Sequence, residues 1–511
     1  MQIDFRERPD GNREVCKNKR RLNMSNYHST FSRREFMKGL GIAGAGLGAA
    51  TAVTPVFKDL DELTSSTSAH PKRAWYVKER EFGDIGIEID WNILKRRDTR
   101  GYSYWNPVIW KQHYPAYDMD AFRKAFDNKT KELWPDYEGP TTRDYALKNS
   151  MYSVGLGCPH YLYNVEQFGV TLLNPAPRPD AIGMPKWQGT PEENSQMIRA
   201  AFSLIGLGPS IGVAELDEKS RRFVWEYNNS GQHIIFDDDI TETYRTTNPP
   251  TVHIPSSHKY VIATHNMGAD EILRRAPSTI GACTETISYA RVAYAKSFVE
   301  QFIRGLGYNV VYGHSLQAAP AFDFWSGVGE HARMGQVCLS PENGAMMRTH
   351  AIFFTDLPLA LTKPIDAGIT KFCETCGICA ESCPVGAVPP KGINRNWDSN
   401  CDGQSFDNDI ENGGTEVMYN VPGYKGWRVD GFRCLADCNG CKGACPFNAI
   451  PDGSFIHSVV KATTSTTPLF NSFFTQMEKS MHYGKQDKDP ESWWHEPSAW
   501  HVYGSNPKLL G

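Results

Sequence analysis

Nine of the 13 cysteines lie between Cys373 and Cys445, and the spacing of eight of them is the strongest chemical signal in the chain. Cys373-x2-Cys376-x2-Cys379-x3-Cys383-Pro384 is followed by Cys434-x3-Cys438-x2-Cys441-x3-Cys445-Pro446, a second copy with one extra residue in its first gap. Thiolates at this spacing wrap three corners of an iron–sulfur cubane within one tight loop, and the fourth reaches across to the other cluster. The expected ligands are therefore Cys373, Cys376, Cys379 and Cys445 for one [4Fe–4S] cluster, and Cys434, Cys438, Cys441 and Cys383 for the other. A zinc site needs only four thiolates and does not account for such a run made twice. Cys401 falls in a polar spacer, while the isolated Cys158, Cys283 and Cys338 read as small buried hydrophobes.

Two cubanes form an electron wire, and a wire needs a terminus, which most of the chain upstream is available to build. From about 190 to 365 helix and strand patterns alternate. Pro191-Glu192-Glu193 opens a helix through Met197, Ile198, Ala201, Phe202 and Ile205, stopped at Gly206-Leu-Gly208. Short strands are expected at Ser210–Leu216, Lys259–His265 and Tyr308–Tyr312. A long helix is expected from about Thr284 to Leu306, with Tyr294, Phe298, Phe302 and Leu306 on one ridge and Val299 and Ile303 beside it. Such alternation indicates an α/β or α+β layer. No glycine-rich dinucleotide fingerprint follows a strand, and no nucleoside-triphosphate loop is present. His265-Asn266-Met267-Gly268 matches the tail of the D-x-H-x-x-G box that supplies a lower cobalt ligand in some corrinoid proteins. Position 263 is Ala rather than Asp, so the box is broken and His265 reads as an ordinary strand-end histidine.

With 54 Lys plus Arg against 58 Asp plus Glu, the net charge of -4 argues against a nucleic-acid partner. The hydrophobic share of 40% and charged share of 22% exclude a disordered chain and a polytopic membrane protein. Length alone, 511 residues, implies more than one hydrophobic core. Near the start, Ser32-Arg33-Arg34-Glu35-Phe36-Met37-Lys38 precedes an uncharged Gly/Ala-rich run from Gly39 to Val53. Paired arginines before a weakly hydrophobic stretch of about 15 residues are the layout of a twin-arginine export signal. A spanning helix needs about 20 residues, so this run is too short to anchor the chain. Met24 reads as the true start, and Ala52 and Ala69 are small-residue cleavage candidates. Because the twin-arginine route carries folded proteins, cofactors loaded in the cytoplasm would travel with the chain.

Leader, α/β region and double-cluster block, in that order, resemble the respiratory reductive dehalogenases. The resemblance runs from Ser32 to the C-terminal segment. It includes Pro191-Glu-Glu-Asn194, Gln301-Phe-Ile-Arg304 with Gly307-Tyr308, Leu357-Pro358 and Lys363-Pro-Ile-Asp-Ala-Gly368. The tail Thr467-Pro-Leu-Phe-Asn-Ser-Phe-Phe474 with Trp493-Trp494 is similar to members acting on chlorinated ethenes. The resemblance implies an α+β fold: a nitroreductase-like corrinoid-binding α/β domain followed by a ferredoxin-like double [4Fe–4S] domain. It implies a cobalamin-type, base-off corrinoid without a protein histidine ligand, in agreement with Ala263. It also implies Tyr289 as proton donor and Arg348, downstream of Arg333-Met334-Gly335, as its basic partner. A free phenol has a pKa of about 10, and a neighbouring guanidinium that stabilises the phenolate eases proton delivery near neutrality. Ser315 and Trp427 are expected substrate-pocket residues. Some relatives carry a pocket Asn where this chain has His314-Ser315, a departure that would alter the substrate contacts there. Glu342, Asn343 and Gly344 are candidates for bringing backbone close to the corrinoid.

The expected organisation is an extension and signal over 1–69, an N-terminal unit over 70–190, the corrinoid-binding domain over 191–365, the cluster domain over 366–457 and a C-terminal extension over 458–511. The expected activity is corrinoid-dependent replacement of halide by hydrogen on a chlorinated compound, a chloroethene ahead of a chloroaromatic, as the last step of an anaerobic respiration. Two rival readings are an epoxyqueuosine-reductase-like enzyme acting on tRNA, which the leader opposes, and an exported electron carrier, which would not need Tyr289 and Arg348. The resemblance further implies a location on the outer face of the cytoplasmic membrane. A small integral-membrane anchor subunit, a respiratory electron donor complex and a halogenated small-molecule substrate complete the expected partners.

Overall fold

Val, Ile, Phe and Ala dominate four segments that pair into the central sheet, in the order Ile211–Glu215, Tyr260–Met267, Met347–Thr355 and Val310–Tyr312. The computed structural model describes residues 73–99, 119–157, 176–207, 211–228, 231–313, 316–318, 320–335, 337–345, 347–397, 421–429, 434, 438–448, 454–481 and 488–496. Every neighbouring pair in the central sheet is antiparallel, so the architecture is α+β. Both faces are covered, which explains why its strands lack polar alternation. Val213, Ile262 and Phe353 face one core with the long helix; Ala214, Val261 and Phe354 face another. On that second side lies a three-stranded sheet, His233–Asp237 parallel to Pro250–Pro255 and Tyr244–Thr247 antiparallel to it.

The helix expected at Pro191 runs over Pro191–Leu204 and is closed by a Thr190–Glu193 capping box. The long helix begins five residues earlier than its apolar ridge suggests, at Thr279, and ends at Gly305. Ser278 caps it by accepting from the Gly281 N–H. A Cβ at Gly281 would sit 2.5 Å from Ala276 backbone, so glycine lets the first turn tuck beneath the preceding segment. The fully buried ridge is Ala295, Val299 and Ile303. Phe298, Phe302 and Leu306 flank it, half-buried.

Segment 73–99 straps the rest together. Lys78–Glu79 pairs with Ile365–Asp366, and the Asp90 N–H donates to the Gly423 carbonyl. The isolated Cys283 and Cys338 are buried, as their surroundings in sequence suggest. At the C-terminal end Trp493 and Trp494 pack against Ile272, Ile280 and Cys283. Trp494 Nε1 also donates to Asp144 Oδ1 at 2.6 Å. Among the described residues no helix is long and apolar enough to cross a membrane. Arg33, Arg34 and the rest of the leader lie outside the described residues.

Candidate active site

The two cysteine runs fold by the same device. Cys373 lies on the short helix Ile369–Thr375, Cys376 ends it, and Cys379 lies on Ile378–Glu381. Between them Gly377 takes φ +83°, and a Cβ there would meet Lys391 Cβ at 2.8 Å. In the second run the residue after Cys438, Asn439, takes φ 54° and starts the turn Gly440–Gly443 that holds Cys441. A left-handed residue after the second cysteine thus curls each run back on itself, and Asn is the side chain other than Gly that most readily adopts it.

This curling gathers the thiols into two sets. Burial pushes Cys373 up to about 12, and the neighbouring Cys376 thiol adds to the push. Burial raises Cys445 as well, and Cys373 and Cys376 add to it, although they lie far away in sequence. Cys379 is driven well above its ordinary value by burial, then by Cys376, Cys373, Cys441 and Cys445. In the second set burial raises Cys438, with Cys441, Cys383 and Cys434 adding to it. Cys441 is pushed up to about 12 by burial, then by Cys434 and Cys383. Buried thiolates crowded together repel one another unless cationic metal is shared among them, so both sets fit an iron–sulfur centre. The Ala387 N–H already donates to Cys383 Sγ at 3.2 Å. Among the described residues no three His, Cys, Asp or Glu side chains converge tightly enough for a single metal ion.

Arg333, which opens the Arg-Met-Gly box, turns out to organise the first run. Its buried guanidinium donates to the carbonyls of Cys373 (2.9 Å), Pro390 (2.8 Å) and Ile393 (3.1 Å). It also lies 4.7 Å from the centre of the Trp427 ring. Lys461, on the helix Ser454–Thr466, is buried beside Cys445 and donates to the Pro341 carbonyl at 2.7 Å. Burial holds its ammonium down to about 8, with Glu342 and Cys445 opposing that. The burial of neither cation is visible in sequence, since an isolated Arg or Lys is usually a surface charge.

A second group of residues lies at one end of the central sheet. Tyr289, on the long helix, is half-buried and lies close enough to the buried Tyr312 phenol to help hold that phenol protonated, after burial itself. Arg348 is on the strand Met347–Thr355, paired with Asn266, and the register shifts between Arg348 and His350. Asn266 is fully buried, and neither of its amide atoms has a hydrogen-bond partner. The Thr264 hydroxyl and both amide atoms of Gln317 are buried in the same condition. Pairing register places Thr264, Asn266 and the chain beyond Tyr312 at the same sheet end as Arg348. Buried polar groups normally find partners, so these orphaned atoms mark where a polar ligand fits. A corrinoid, whose ring edge carries amide groups that donate and accept, suits such a set.

A family model for the reductive dehalogenase subunit matches residues 72–359, over half the chain. The chain belongs to the reductive dehalogenase family. Along 95% of its length it is 31% identical to a chloroethene reductive dehalogenase of Dehalococcoides mccartyi strain VS, all of which is covered. Along 92% it is 30% identical to a trichloroethene reductive dehalogenase of Dehalococcoides mccartyi strain 195, covering 97% of that protein. The fold is also similar to a solved reductive dehalogenase described for B12-dependent dehalogenation, with a TM-score of 0.51 and 17% identity over 80% of this chain. The chain spans 50% of that solved protein's length. The dehalogenase is thus an enzyme that removes halogen. The tRNA-enzyme and electron-carrier readings give way to the near-full-length match.

The remaining pocket candidates of the dehalogenase sit as follows. Trp427 is buried, donates from Nε1 to the Ile393 carbonyl at 2.8 Å and stacks on His331 at 5.9 Å. Its own N–H donates to His331 Nε2 at 3.0 Å, which keeps that imidazole an acceptor. Burial, then Arg428 and Arg395, holds His331 down to about 3. The turn at Glu342, Asn343 and Gly344 packs on the cluster block. The Ala345 N–H donates to Asn448 Oδ1 at 3.0 Å, and a Cβ on Gly344 (φ +64°) would strike the Phe447 carbonyl at 2.2 Å. Contact with Phe447 therefore accounts for Gly344 by itself. Ser315 lies outside the described residues.

Proposed function

We propose that this dehalogenase replaces chloride by hydrogen on a chloroethene, using a corrinoid and two [4Fe–4S] clusters. The observation that carries the reading is the gathering of eight cysteines into two sets, the first buried and the second half-buried, in a block that touches the helix bearing Tyr289. We assign Cys373, Cys376, Cys379 and Cys445 to one cluster, and Cys434, Cys438, Cys441 and Cys383 to the other. Residues 191–365 are assigned as the nitroreductase-like corrinoid domain and 366–457 as the ferredoxin-like domain. A chloroethene is favoured over a chloroaromatic because the two relatives matched along nearly their whole length are named for chloroethene and trichloroethene.

When bound, the corrinoid supplies the reduced cobalt that breaks the carbon–halogen bond. The chain supplies the rest. Tyr289 is assigned to deliver the one proton that hydrogen replacement needs, and Arg348 to stabilise the phenolate left behind. Asn266, Thr264 and Gln317 are assigned to the corrinoid's polar edge, since each is buried with hydrogen-bonding capacity unused. The broken box at Ala263 fits a base-off corrinoid without a histidine ligand. For the whole protein we propose export through Arg33-Arg34. We place it on the outer face of the cytoplasmic membrane with a small anchor subunit and a respiratory electron donor.

The test is the metal content of anaerobically purified protein, followed by chloride release from trichloroethene with a reduced dye. About eight iron and one cobalt per chain are expected. Iron without cobalt, from cells supplied with corrinoid, would overturn the corrinoid assignment.

A further inference from the structure

Lys442 follows Cys441 directly in the second cysteine run. Its ammonium reaches out of the cluster block to the long helix and lies 3.7 Å from Glu285 Oε2, with both side chains under 5% exposed. Glu285 stands one helical turn before Tyr289, on the same face of that helix. The pair therefore joins the cluster block to the turn that carries the assigned proton donor. Water screens an exposed pair to near nothing, but a pair buried this deeply acts through a medium of low dielectric. Lys442 differs in this respect from Arg333 and Lys461, whose N–H groups are directed at backbone carbonyls near the first run.

We propose that the Lys442–Glu285 ion pair sets the reduction potential of the cluster held by Cys434, Cys438, Cys441 and Cys383, while holding that cluster in register with the helix turn leading to Tyr289. Lys442 and Glu285 act here as positioning residues, and the proposal rests on the two-cluster reading above. Reducing a [4Fe–4S] cluster by one electron adds one negative charge and makes or breaks no bond. A cation beside it stabilises the reduced form, and a carboxylate behind the cation offsets part of that effect.

The test is a redox titration of anaerobically purified holoenzyme, followed cluster by cluster by electron paramagnetic resonance. Lys442→Gln is expected to lower the reduced-to-oxidised ratio of the second cluster about tenfold at fixed potential, a shift of about 59 mV for one electron. Glu285→Gln is expected to move the same cluster the opposite way by a smaller amount. The double variant should lie between Lys442→Gln and wild type, and the first cluster should stay unmoved throughout. Equal potentials in all variants would overturn the proposal, as would shifts of the same sign in both single variants, which generic loosening would produce. If Lys442→Gln fails to assemble its clusters, Glu285→Gln decides, and an unmoved potential there overturns the proposal. A wild-type protein without cluster signals would instead remove the two-cluster reading itself.

Discussion

Replacing Arg333 by Met tests whether a buried cation holds the first cysteine run in shape. Arg333 is 1% exposed and makes three hydrogen bonds of 3.1 Å or shorter, one to the Cys373 carbonyl that opens that run and two to carbonyls that follow it. Hydrogen bonds to a charged group contribute about 1.5–3 kcal/mol each. Three of them suggest at least about 4.5 kcal/mol, and removing a buried charge gives some of that back. A loss of roughly 4 kcal/mol is therefore expected, a shift of about a thousandfold in the local folding equilibrium. Met fills most of the aliphatic volume, so the loss reports on polarity rather than on a cavity. The assay is iron per chain together with denaturant unfolding of anaerobically prepared protein. Iron is expected to fall by about one cluster's worth, four atoms. Arg333→Lys should recover little, because an ammonium cannot reach carbonyls in three directions at once. Full iron with an unchanged unfolding midpoint in Arg333→Met would refute the reasoning.

Three further outcomes are expected. Tyr289→Phe should keep its iron and lose chloride release by about 10²- to 10⁴-fold, the usual contribution of a general acid; a wild-type rate would remove Tyr289 from the mechanism. Cys383→Ser and Cys441→Ser should abolish the same spectroscopic signal, and Cys445→Ser should abolish the other one. Loss of Cys383 together with the Cys373 signal would contradict the crossed assignment. Glu330 is buried and accepts from the Ala367 and Ile369 N–H groups. Burial, then Asp366, raises its carboxyl from 4.5 to about 7. The folded state binds that proton more tightly than the unfolded one, so the contribution is full below pH 4.5 and lost as pH rises through 7. Glu330→Gln should flatten the fall in unfolding free energy across that window by on the order of 3 kcal/mol. Parallel curves for the two proteins would show the carboxyl is not the source.

The rivals weighed on sequence separate for a physical reason. An electron carrier needs only the cysteine runs, whereas this chain builds a two-faced sheet, a long helix and a polar pocket end before reaching them. Those elements are matched along nearly the whole of two halogen-removing relatives.

Local spacing was enough to read what depends on local geometry. The cysteine runs were legible because ligand spacing along a tight loop is itself the chemistry. The helix at Pro191 was legible because Pro191, Glu192 and Glu193 together make a start signal, to which the structure adds the Thr190 cap. The start of the long helix was not, because Ser278 and Gly281 lie outside the apolar ridge that reveals a helix. Asn266 sat unnoticed inside the broken His265–Gly268 box, because a buried amide lacking a partner is a property of packing and has no signature in sequence. The burial of Arg333, Lys442, Lys461 and Glu285 has no signature in sequence either. Charged residue types are ordinarily solvated, and only the tertiary arrangement buries these four beside the cysteines or the long helix. Sequence thus determined which atoms could hold clusters, and the fold alone decided which charges would lie against them.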